Sequence, residues 1–86
     1  MAIFVVISEE ENAALGTQIA LKYPDEHLAI SERLWLISAE KLTKQLAENL
    51  GIMKGDFGKV LAVKAGNWSG FHKKSVWEWL SLKTDA

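Results

Sequence analysis

The amino-acid sequence predicts an α+β domain, an antiparallel sheet with helices packed mainly on one face, in the order βαββαβα. Three observations carry that expectation. Ile3-Phe4-Val5-Val6-Ile7 is an unbroken apolar, mostly β-branched run, as in a strand covered on both faces. Stretches with apolar residues at helical spacing follow the first and third strand-like runs. The 86 residues suffice for one hydrophobic core and not for two, so residues 1–86 form a single domain.

After the first strand, Ser8-Glu9-Glu10-Glu11 reads as a capping box, with the serine hydroxyl accepting the Glu11 amide and the glutamate reaching back. Leu15 and Ile19 lie four apart on one face of the helix that follows, Gly16 weakens its middle by about 1 kcal/mol relative to alanine, and Pro24 closes it. His27-Leu28-Ala29-Ile30 and Leu34-Trp35-Leu36-Ile37, joined by polar Ser31-Glu32-Arg33, suit a hairpin or one bulged strand, and the hairpin is preferred. Ser38 then caps a helix carrying Ala39, Leu42, Leu46 and Leu50 on one face and a Glu40–Lys44 pair four residues apart. Gly51 followed by Ile52 has the form of a left-handed C-cap with its hydrophobic contact. Beyond the connection Lys54–Gly58, residues 59–65 (Lys59-Val60-Leu61-Ala62-Val63-Lys64-Ala65) read as another buried strand. A loop, Gly66-Asn67-Trp68-Ser69-Gly70, leads to Ser75, whose spacing to Glu78 repeats the capping box, and Val76, Trp77 and Leu80 share one face of a short final helix. This order resembles the ferredoxin-like sandwich. Its main competitor is a layered arrangement with the final helix on the opposite sheet face.

Bulk composition narrows the function classes only slightly. Hydrophobic residues make up 49% and charged residues 24% of the chain, which places it among folded domains. Ten basic and eleven acidic side chains give a net charge of -1, so no global basic field points to nucleic acid. The absence of cysteine excludes disulfides, thiolate metal sites and a cysteine nucleophile. The run from Ile3 to Ile7 is too short for a signal-peptide core or a membrane span, which points to a cytoplasmic protein without membrane contact. On that reading the sequon Asn67-Trp68-Ser69 is a chance match. The charge is uneven along the chain: six acids face Lys22 alone through Glu32, and nine bases face five acids from Arg33 onward. Such a two-signed surface suits pairing with a partner of matching pattern.

Few segments carry the spacing of a catalytic motif. Asp56-Phe57-Gly58 and Ala62-Val63-Lys64 echo kinase signatures in reversed order and without a catalytic loop. Gly55 and Gly58 lack the spacing of a phosphate-binding loop. His27 and His72 are far apart and have no carboxylate at metal-ligand spacing, so no metal site and no cofactor are expected. Glu9, Glu10 and Glu11 sit where a carboxylate cluster could hold magnesium, although acidic residues are also favoured in a first helical turn by the macrodipole. Trp68, Phe71, His72, Lys73 and Lys74 set aromatic surface beside positive charge, the combination that stacks a base and neutralises a phosphate. Trp35, Trp77 and Trp79 fall in regular elements where core filling is the default; Trp68, flanked by glycines, is the one of the four suited to contact, its other reading being a ring folded back over the core.

Several segments together resemble a known group: Ala14-Leu15-Gly16, Tyr23-Pro24-Asp25-Glu26-His27, Leu34-Trp35-Leu36-Ile37-Ser38, Leu50-Gly51-Ile52 and Trp77-Glu78-Trp79-Leu80. They are similar to small bacterial proteins of the ferredoxin-like superfamily that contains VapD toxins and the small CRISPR-associated nucleases. The resemblance implies the same sandwich and a metal-dependent nuclease ancestry. In those nucleases an acidic residue, usually aspartate, follows the first strand. Here Ser8 follows Ile7 and the nearest acids are Glu9 to Glu11, so no catalytic residue carries over. The sequence therefore predicts a non-enzymatic module that forms a homodimer and binds a protein or nucleic-acid partner through Trp68, Phe71, His72, Lys73 and Lys74. The alternative is a metal-dependent ribonuclease or toxin of the VapD type using Glu9 to Glu11.

Overall fold

The computed structural model describes residues 1–84. Its elements are β1 (Ala2–Ser8), α1 (Ala13–Lys22), β2 (His27–Ser31), β3 (Leu34–Ala39), α2 (Thr43–Leu50), β4 (Val60–Ala65) and α3 (Lys74–Thr84). The four strands form one sheet in the order β2-β3-β1-β4, each neighbouring pair antiparallel. This is the ferredoxin-like arrangement, with a third helix appended.

The apolar run of β1 is explained by what lies on either side of it. Phe4 and Val6 point to one face, where Leu15, Ile19 and Tyr23 of α1 and its end join Leu46, Ala47 and Leu50 of α2 over Trp35, Ile37 and Ala39 of β3. Ile3 and Val5 point to the other, where Val76 and Leu80 of α3 pack on Leu36, with Leu28, Ile30, Trp77 and Trp79 around them. Alternate residues of a strand face opposite sides, so two apolar layers require an unalternating strand. α1 and α2 share one face as the sequence suggests, and α3 covers part of the other.

Gly16 lies in the middle of α1, where a Cβ would meet the Trp35 indole at 3.5 Å. Its lack of a side chain brings the helix close over a large ring. Gly51 takes φ 78° and donates its N–H to the Ala47 and Glu48 carbonyls, while Ile52 donates to Ala47 and is buried. The left-handed C-cap and its hydrophobic contact are thus formed as the spacing predicts.

The helix starts differ from the sequence expectation. Ser8 ends β1 and is buried; α1 is capped by Asn12, whose Oδ1 accepts the Leu15 N–H at 3.1 Å. Glu9 to Glu11 therefore precede the helix, and its first turn holds no acid. Ser38 lies inside β3, 1% exposed, its Oγ 3.5 Å from Met1 Sδ. α2 begins later, where the Leu42 N–H donates to Gln45 Oε1 at 3.0 Å, and Leu42 itself is exposed. Lys44 consequently pairs with Glu48 at 4.0 Å rather than with Glu40. Ser75 is likewise already inside α3, and Lys74 pairs with Glu78 at 3.7 Å. In each case a capping side chain is outbid by continuation of the strand ladder or by an earlier helical turn, which satisfies more backbone groups.

β4 also departs from expectation. Among the described residues it pairs only with β1 and forms the sheet edge, and Leu61 and Val63 are 66% and 46% exposed. β2 and β3 form the preferred hairpin, with Ser31 Oγ accepting the Arg33 N–H in the turn and a register shift between Ala29 and Ser31. No described helix is long and apolar enough to cross a membrane.

Candidate functional site

The segment joining β4 to α3, together with the first residue of α3, carries the residues singled out for contact. β4 and β1 run antiparallel, and Ala65 lies opposite Ile3, at the same end of the sheet as His27, where β2 starts. The far end of α3 is tied to this same end: Lys83 donates to the Asp25 carbonyl at 3.0 Å, and its Nζ lies 3.2 Å from Glu26 Oε2. Residues 66–73 thus connect the end of β4 to the start of α3, whose other end is anchored beside β2. Among the described residues, no backbone group from 66 to 72 bonds to a strand or helix. Its hydrogen bonds are local: the Trp68 N–H to Asn67 Oδ1 at 3.1 Å, and the Lys73 N–H to His72 Nδ1 at 2.9 Å.

Exposure follows from this lack of anchoring. Phe71 is 100% exposed and Trp68 38%, and His72, Lys73 and Lys74 are all exposed. Phe71, His72 and Lys73 line one shallow concavity. Trp68 lines a different one, about 710 Å³, with Met1, Leu42, Lys41 and Lys64. Lys74 borders a third with Trp77 and Leu82. The cations beside Trp68 are Lys41 and Lys64.

The acidic cluster lies at the opposite end of the sheet. Glu9, Glu10 and Glu11 border a concavity of about 400 Å³ with Ser8, Asn12, Phe57, Gly58 and Lys59. Asn12 organises it: beyond capping α1, its Nδ2 donates to Ser8 Oγ at 3.2 Å and to the Phe57 carbonyl at 2.7 Å. Glu9 is held by its own N–H on the Lys59 carbonyl, and its carboxylate lies 4.0 Å from Lys59 Nζ. Among the described residues, no three histidine, aspartate or glutamate side chains converge as a metal-binding group. The His27 ring meets the Tyr23 carbonyl at 2.6 Å through Nδ1; a carbonyl only accepts, so Nδ1 carries the proton.

One surface goes unread in the sequence. Ile7, 40% exposed, lies opposite Leu61 on the face away from α1 and α2, and Val63 lies two residues along. α3 packs toward β2 and over Ile3 on this face, so the part of the β1–β4 half that carries Ile7, Leu61 and Val63 stays open. An all-apolar Val60-Leu61-Ala62-Val63 run hides the alternation that would mark one side as solvent-facing. The legible signal is the pair of lysines, Lys59 and Lys64, that bracket it, a common feature of edge strands. Neither a known protein family nor a curated protein matches the chain in sequence.

Proposed function

We propose that the chain is a non-enzymatic interaction module, a cytoplasmic homodimer that contacts a protein partner through the segment from Trp68 to Lys74. The observation that carries this reading is the complete exposure of Phe71 within a segment unbonded to the sheet. Aromatic side chains are enriched in contact surfaces, and truncating an exposed one costs binding rather than folding. Phe71→Ala and Trp68→Ala should each leave the thermal midpoint within a few degrees, Trp68 being the more sensitive because it is partly covered. Binding of a partner isolated from the native host, measured by calorimetry, should weaken for Phe71→Ala; unchanged affinity would sink the reading.

A second reading draws on the resemblance to VapD-type ribonucleases. It is favoured by one feature: Glu9 to Glu11 stand outside the first turn of α1, so stabilisation within that turn does not account for them. Magnesium- or manganese-dependent RNA cleavage lost in Glu9→Gln or Glu10→Gln would place this reading first.

A further inference from the structure

We infer that the homodimer forms by antiparallel pairing of β4 with β4 of a second copy, making one continuous eight-stranded sheet with Ala62 on the two-fold axis. The inference deepens the proposed function and rests on its self-association. It starts from the direction of the β4 backbone groups. The Glu9 N–H donates to the Lys59 carbonyl, so Lys59 directs its backbone groups toward β1. Bonding alternates along an antiparallel strand; Leu61, Val63 and Ala65 therefore also bond toward β1, while Val60, Ala62 and Lys64 direct their N–H and C=O outward. β4 has no strand on that side.

A second copy satisfies these six groups without a gap. Pairing about Ala62 sets Ala62 opposite its own mate and Val60 opposite Lys64 of the second copy, all as hydrogen-bonded pairs. Leu61 then faces Val63 of the second copy at the non-bonded positions, where side chains approach most closely. Both are exposed and lie on the open face with Ile7, so the two copies form one apolar stripe across the axis. No lysine stands opposite another. Moving the axis to residue 61 would set Lys59 against Val63, and moving it to 63 would set Leu61 against the small Ala65.

The other edge is less suited. β2 has five residues, a register shift between Ala29 and Ser31, and α3 against it; irregular, covered edges resist pairing.

Light scattering and residue-resolved amide exchange on the full chain test the pairing. The expected mass at high micromolar concentration is twice 9.6 kDa. Amides of Val60, Ala62 and Lys64 should exchange about tenfold or more slowly at high than at low protein concentration, while those of Leu61 and Val63 stay unchanged. Leu61→Lys with Val63→Lys should weaken dimerisation about tenfold or more and keep the circular dichroism of the parent. A monomer at every concentration overturns both the pairing and the self-association. A dimer with concentration-dependent protection elsewhere than on β4 overturns the pairing alone, and leaves self-association and the Phe71 contact standing.

Discussion

Asn12 does three things at once, and no single motif in the sequence names it. It caps α1 through Oδ1, and its amide ties Ser8 at the end of β1 to the Phe57 carbonyl of the loop before β4. Asn12→Ala should therefore lower stability by about 1–2 kcal/mol, more than loss of an exposed cap, whereas Glu11→Ala should change it by less than about 0.5 kcal/mol. Thermal denaturation of both variants decides which residue starts the helix. Gly16 permits a prediction of opposite sign. A methyl there would sit at ordinary contact distance from the Trp35 ring, 3.5 Å, so Gly16→Ala gains helix propensity without a clash. Stability should rise by about 0.5–1 kcal/mol, seen as a midpoint several degrees higher; a leucine at the same position would collide with the indole and lower it.

At the scale of elements, α3 takes the place that the competing arrangement gave it. It packs on the face opposite α1 and α2 through Val76 and Leu80, flanked by Trp77 and Trp79, and Lys83 pins its end near Glu26. The four-residue spacing of Val76 and Leu80 made a helix legible, while its choice of face depended on which apolar strand residues were still uncovered. Leu80 is 6% exposed and Leu82 is 74% exposed. Leu80→Ala should cost about 2–4 kcal/mol, and Leu82→Ala should lie within about 0.5 kcal/mol of the parent. Urea denaturation would separate them; equal effects would mean that α3 is not seated on the sheet as described. Lys44–Glu48 and Lys74–Glu78 are exposed pairs, which belong with local helix formation rather than with this packing.

For the whole molecule, the features fall at different places on the sheet. Glu9 to Glu11 gather near the end where β1 finishes, Lys41 and Lys64 line a concavity with Trp68 near the other, and Lys73 lines one with Phe71 just before α3. Removing Lys73 and Lys74 together as alanines should flatten the salt dependence of partner binding if the partner is acidic, because screening acts on the charges that remain. Binding calorimetry at two ionic strengths reads this directly, and parallel salt curves for parent and variant would show that the lysines take no part.

Local spacing in the sequence determined the strands, the presence of the helices and the left-handed cap at Gly51, because each depends on neighbours within a turn or a strand length. It also marked the segment from Trp68 to Lys74, where glycines, aromatics and lysines occur together. Only the tertiary structure decided that Asn12 rather than Ser8 caps α1, since that choice depends on a carbonyl 45 residues away. The exposure of Leu61 and Val63 was likewise decided there. An apolar strand reads the same in the middle of a sheet as at its edge, and it is the sheet order and the seat of α3 that leave this one open.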